Sequence, residues 1–334
     1  MSVFSPGAVL AINRSSGAID WRRKLVPFGG SEVLFANSTL YAKSDHTLYA
    51  LDPETGKEIW KFCPYGTGRE TIYSAPTVSR GRVFIGDRAG YLHALDARTG
   101  RRLWSLMTSR AANNDVNGPP LIVGNLVLVA TNAGRLVAAD AKTGDVVWNR
   151  QTGGPSINEI ARVPSGLLVA THSSLCWFDA ESGDMLARRS FPGRQLMTYV
   201  AKGDRTYVVT APKNGSWREL VGLSGQEIVF RRRIPFLWTL ARVRSGIVEI
   251  SFGGFAFLSP FSGERINHVQ IDGECMAAHP AEYGKHLYIM TSKGVLWALR
   301  WPPSGLSARG STMACSGARE SIVRNDSSTT SRAS

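Results

Sequence analysis

No stretch of this sequence reaches the roughly 18 consecutive apolar residues that a membrane-spanning helix needs. Nor does any segment of ten or more residues carry apolar side chains at helical spacing. These two absences exclude a helical membrane protein and a helical bundle. Cysteine is scarce as well. Cys63, Cys176, Cys275 and Cys315 are widely scattered, and no pair has the spacing of a metal site or a redox motif. Acidic residues are in short supply: Lys and Arg total 39 against 26 Asp and Glu, for a net charge of +13. Such a surplus concerns partners and not fold, and it favours anionic ones: an acidic protein patch, a polyanionic glycan, anionic lipid or nucleic acid. Residues 1–13 lack a basic region, and Pro6-Gly7 interrupts their apolar run, so they do not read as a signal peptide. As it stands, the sequence places the protein in the cytoplasm.

What the chain has in quantity is glycine (34), proline (16) and 43% hydrophobic residues, enough for a core interrupted by many turns. One motif recurs: a short apolar strand, then Asp-x-x-Thr/Ser-Gly, then a strand with Trp four positions after the Gly. The best copies are Asp52, Gly56 and Trp60; Asp96, Gly100 and Trp104; and Asp140, Gly144 and Trp148. Weaker copies run from Asn13 through Gly17 to Trp21, and from Asp179 to Gly183, where Ala187 replaces Trp. Gly225 with Phe230, Ser259 with Gly263, and Gly305 mark eroded copies. The eight glycines are separated by 39, 44, 44, 39, 42, 38 and 42 residues, a period near 40 that signals a repeat architecture.

The motif reads as a hairpin. Asp can bond back to the following backbone N–H groups, and Gly supplies the positive φ that closes the turn. The Trp offers a flat surface for packing against the neighbouring unit. Further apolar runs, such as Val83-Phe84-Ile85 and Leu126-Val127-Leu128-Val129, lie upstream. Most follow a tight-turn pair such as Arg80-Gly81 or Gly124-Asn125, itself preceded by a third strand such as Pro120-Leu121-Ile122-Val123. Each unit is therefore four short strands with Trp on the last. That fits an all-β β-propeller of four-stranded antiparallel blades; an immunoglobulin array needs roughly 100 residues per unit.

The count favours eight blades, with Val3-Phe4 as the second strand of the first unit, and seven as the alternative. The propeller is expected over residues 1–310. Residues 311–334 form a Ser-rich tail expected to be mostly disordered. The first unit lacks its innermost strand, which 312–317 or 321–324 would supply, while 306–309 would be the last outer strand. Because Val3-Phe4-Ser5 reads as the middle of a unit, a longer gene is expected to precede Met1, carrying a missing strand and a secretion signal. That would move the protein to the periplasm or cell envelope.

The pattern Ala94-Leu95-Asp96 through Thr99-Gly100 to Trp104 resembles the repeat of the pyrroloquinoline-quinone-like propeller family, over residues 1 to about 305. It is less similar to WD40 repeats, because Asp20-Trp21 is an isolated dipeptide. The resemblance implies one of two functions. The first is a quinone-dependent dehydrogenase of alcohols or sugars, holding pyrroloquinoline quinone and calcium in its central channel. The second is a non-catalytic scaffold like the propeller lipoprotein of the outer-membrane assembly machine. The enzyme needs a cage of oxygen ligands, an Asp base and flat groups around the quinone, one of them commonly a ring formed by adjacent cysteines. No two cysteines here are adjacent. Glu70, Asn113, Asn114, Asp115, Asn117, Asn158, Glu159 and Glu274 are candidate oxygen ligands, although such runs also serve as plain turn chemistry. His46, His93, His172, His268, His279 and His286 form no ligand pattern. The units are also short, without the insertions that wall the enzymes' sites. The expectation is a scaffold with no catalytic residues, cofactor or metal.

Basic residues cluster just after the motif Gly, as Arg22-Arg23-Lys24, Arg188-Arg189 with Arg194, and Arg231-Arg232-Arg233. Edge protection of outermost strands explains scattered arginines. Adjacent positives at one place in the repeat instead suggest a basic rim that docks an acidic protein partner or polyanion. Nucleic acid fits less well, because aromatic residues are sparsely interleaved there. Phe236 and Trp238 sit in a long loop between units, where they are either aromatic anchors of an interface or, for Trp238, the buried start of the next inner strand. The chain is expected to be a monomer or one subunit of a complex.

Overall fold

The computed structural model describes residues 2–300 apart from short internal segments, the longest being 26–32, 65–71, 235–238, 271–280 and 291–295. Every regular element among the described residues is a β-strand. The strands form antiparallel sheets in chain order, each strand bonded to the next: six sheets of four strands, flanked by three-stranded sheets at 2–24 and 281–300. In the first of these, Ser2–Ser5 pairs with Ala8–Ile12, as the second strand of a unit would. The proposed tail at 311–334 and the ring-closing and last outer strands (306–309, 312–317 or 321–324) fall outside the described residues.

The recurring turn follows from its residues. Asp52 Oδ1 accepts hydrogen bonds from the backbone N–H of Glu54 (3.1 Å) and Thr55 (2.7 Å) and from the Thr55 hydroxyl (2.7 Å). Gly56 N then donates to Asp52 O at 2.8 Å, with φ at +69°. Asp96, Asp140 and Asp179 repeat this with Thr99, Thr143 and Ser182. Hydrogen bonding to the ionised form holds all four carboxyls below their ordinary pKa. The Thr hydroxyl contributes most for Asp52 and Asp96, and the backbone N–H of Thr143 or Ser182 most for Asp140 and Asp179.

The turn glycine also receives the neighbour. A Cβ built on Gly56 would lie 2.6 Å from the Trp21 ring, and one on Gly100 would lie 2.6 Å from Trp60. Gly144 meets Trp104 and Gly183 meets Trp148 in the same way. Each Trp thus lies flat on the turn of the following sheet, at a place where any side chain would block it. Trp21 Nε1 donates to Pro53 O and Trp60 Nε1 to Ala97 O, both at 3.0 Å and both across the sheet boundary. Trp60 and Trp148 are buried, and Trp21 and Trp104 half-buried. This is the packing against adjacent units that the repeat predicts.

Between these outer joints and the inner strands, apolar side chains fill every gap between successive sheets from the first to the seventh. Tyr41, Leu48 and Ala50 pack on Val83, Ile85 and Leu95, and Phe84 and Leu92 on Val127 and Val129. Equivalent cores join the other pairs. Sheets stacked face to face in sequence, with first strands inside and last strands outside, make a β-propeller.

Candidate functional site

The three basic clusters lie on the outer strands of three different sheets, Ile19–Lys24, Met185–Ser190 and Glu227–Ile234. Strand alternation splits each one. Arg23, Arg189 and Arg232, each two positions after the Trp site, turn toward the following sheet. Arg23 pairs with Glu58 at 2.9 Å and reaches Gly56 O at 3.4 Å. Arg189 lies 4.0 Å from Glu227, and Arg232 lies 3.4 Å from the buried Glu249, which Arg265 also binds. These three arginines join sheets. Arg22 and Lys24 are exposed on the first sheet, and Arg188 is drawn to Ser174 Oγ and Gly153 O, both at 3.2 Å.

Arg194, Arg231 and Arg233 do come together, on the sixth sheet. Its strands are Arg194–Lys202, Arg205–Pro212, Arg218–Ser224 and Glu227–Ile234, nine, eight, seven and eight residues long. Those of the third and fourth sheets run three to six. The register places Thr210 opposite Glu219 and Glu219 opposite Arg233, so their side chains share one face, with Arg231 two positions back. Glu219 accepts from Arg231 Nη1 at 2.9 Å and lies 3.6 Å from Arg194 Nε. That Nε donates to Thr210 Oγ1 at 2.7 Å. The half-buried Trp217, two residues before Glu219, carries the Arg194 guanidinium 4.4 Å from its ring centre and that of Arg233 at 5.0 Å. Three guanidiniums, one carboxylate and one indole make a ledge at the end of the sheet, with two positive charges uncompensated within the cluster. Sequence reading missed Trp217 and Glu219. The only signal was the Lys213-Asn214-Gly215 turn, which marks an unusually long hairpin. Phe236 and Trp238 lie outside the described residues.

Of the candidate oxygen ligands, Asn114 and Asp115 take part in local hydrogen bonds. Asn114 Nδ2 is held by Thr108 Oγ1 and Ser109 O, both at 2.9 Å, while Asp115 accepts from Asn132 at 3.4 Å. The donors close the loop after Arg102–Met107 onto its neighbours. Among the described residues no three His, Cys, Asp or Glu side chains converge as a metal cluster would. Glu70, Asn117 and Glu274, and the side chains of Asn158 and Glu159, lie outside the description.

Buried His93 links Asp87 Oδ2 (2.8 Å) to the Ser105 hydroxyl (2.7 Å), the order of groups found in a nucleophilic triad. Asp87 Oδ1 also accepts from Tyr91 N at 2.9 Å, so the series of bonds ties the 87–91 turn to the outer strand.

A family model described as outer membrane protein assembly factor BamB matches residues 5–218. No curated protein matches the sequence. Among solved structures, BamB from Moraxella catarrhalis is 19% identical with a TM-score of 0.58, over 74% of each chain. The quinohemoprotein alcohol dehydrogenase of Comamonas testosteroni is 16% identical with a TM-score of 0.68, over 86% of this chain and 68% of that one. A computationally designed protein, Ika8, is 14% identical with a TM-score of 0.66, over 90% and 95%. At these identities the likeness is one of fold. The fold alone hosts both an assembly factor and an enzyme.

Proposed function

Because the chain belongs to the BamB family of pyrroloquinoline-quinone-like propellers, we propose that it is a non-catalytic interaction scaffold of the bacterial cell envelope, serving outer-membrane protein assembly. The observation that supports this is the ledge of the sixth sheet. Arginine and tryptophan are the side chains most enriched at the energetic centres of protein interfaces. Here Trp217, Arg194 and Arg233 are held on a rigid sheet longer than its neighbours. The propeller supplies the rigid ring, and the ledge supplies the anchor. Arg22, Lys24 and Arg188 add positive charge elsewhere, while Arg23, Arg189 and Arg232 pair with carboxylates of the following sheets.

Two measurements test this reading. A photo-crosslinking residue at position 217, introduced in cells, should trap one discrete envelope protein; diffuse adducts or none would remove the support. The alternative is a quinone-dependent oxidoreductase. Titrating the full chain with pyrroloquinoline quinone and calcium should leave its melting temperature unchanged. A bound ligand at 100 times its Kd would stabilise the fold by about 2.7 kcal/mol, and such a shift with dye-coupled alcohol oxidation would put the enzyme first.

A further inference from the structure

The ledge also specifies what should occupy it. We infer that it binds an extended acidic segment of a partner protein carrying two carboxylates two residues apart. This rests on the scaffold reading and adds the partner's chemistry.

The argument runs through charge, spacing and shape. Arg194, Arg231 and Arg233 face a single carboxylate, Glu219, which is shared between Arg194 and Arg231. Arg233 has no carboxylate partner among the described residues, and its neighbour contact is the Trp217 ring at 5.0 Å. Two carboxylates from outside would therefore neutralise the cluster. Arg231 and Arg233 project from one face of the same strand, two residues apart. That separation is about 6.7 Å, the repeat of alternate side chains along any extended chain. A partner strand with acids at positions i and i+2 presents its carboxylates at the same interval, while adjacent acids point to opposite sides. Guanidiniums already ordered against Trp217, Thr210 and Glu219 lose little freedom when a carboxylate arrives. Arg232, turned to the following sheet by Glu249, takes no part.

The experiment uses the full chain and fluorescent ten-residue peptides at low and physiological salt. One carries a Thr-Glu-Val-Glu-Thr core, the second its isomer Thr-Glu-Glu-Val-Thr, and the third Gln in place of both Glu. The first peptide should bind, and more tightly than the isomer by about fivefold; the Gln peptide should not bind. Arg233→Glu and Trp217→Ala should each weaken binding about tenfold or more, as loss of an interface anchor does. Arg233 is exposed, so its reversal should leave the melting temperature nearly unchanged; Trp217→Ala provides a second variant if it does not. The exposed pair Arg22→Glu with Lys24→Glu should have no effect. Equal binding of the two isomers, or an equal loss from the Arg22 and Lys24 changes, would show general charge attraction and overturn the inference. So would binding of phosphatidylglycerol vesicles with no binding of any peptide. If the peptides fail while a discrete crosslink from position 217 persists, this inference falls and the scaffold reading stands.

Discussion

The second to fifth sheets and the sixth solve the same packing problem differently. In the former, a five-residue turn led by Asp ends in Gly, and a Trp from the preceding sheet covers that Gly. In the sixth, Ser224 pairs with Glu227 across a two-residue turn with no leading Asp, and a Cβ on Gly225 would meet nothing within 4 Å. The Trp that should reach it is replaced by Ala187. The core between the fifth and sixth sheets compensates with Trp177, Phe191 and Tyr199, all buried, and Tyr199 donates its hydroxyl hydrogen to Leu168 O at 3.1 Å. Phe230 then resumes the outer joint, meeting its own sheet's Gly222 and Gly263 of the seventh. The regular sheets are thus joined at the rim and the sixth closer to the middle, which leaves the sixth sheet's end free to carry the arginine ledge. Repetition marks what holds the ring together, and departure from it marks the proposed site.

This contrast predicts a gradient of mutational cost. Trp60→Ala should destabilise the fold most, by about 3–5 kcal/mol, as truncation of a buried aromatic does; Trp217→Ala on the ledge should cost far less in a denaturant melt. Similar costs for the two would erase the distinction between joint and site.

Glycine changes come next. Ala in a left-handed conformation costs about 1–2 kcal/mol wherever it occurs, and Gly225→Ala should cost no more than that. Gly100→Ala adds a collision with the Trp60 ring and should cost clearly more. Equal values, read by equilibrium unfolding, would mean that the Trp contact adds nothing to the glycine requirement.

The smallest effect is one of pH. Folding lowers the Asp96 carboxyl below its ordinary value. Its contribution is therefore fully present above the ordinary carboxylate range and is lost as pH falls through the depressed value. Asp96→Asn should lower the melting temperature at neutral pH, and the gap from wild type should close on acidification. A gap that stays constant from neutral pH to pH 3 would show that the carboxylate's charge does not matter to the turn.

Much of the fold was legible because its determinants are local. Asp52, Thr55 and Gly56 bond within five residues, and a local pattern repeated at a period near 40 reveals itself. The Trp positions were legible too, although not the glycine each one covers. The candidate site was read only in part. Arg231, Arg232 and Arg233 look like one cluster in sequence, yet strand alternation sends the middle one to Glu249 and the others to Glu219 and Trp217. Those partners lie on other strands or, for Trp217, just before one, and register, which sequence adjacency does not contain, decides who meets whom. The same reason separates Arg23 from Arg22 and Arg189 from Arg188.

The Trp-on-Gly joint has a direction: each of the second to fourth sheets offers a ring forward and a bare glycine backward. Any such unit can follow any other, like links cast from one mould. A duplicated unit inserted among the second to fifth sheets would find a ring waiting on one side and a glycine on the other, with no new surface to invent. Growth by copying is therefore built into the interface chemistry, and the joint between the fifth and sixth sheets, where ring and glycine no longer meet, is the place where such copying would stop fitting.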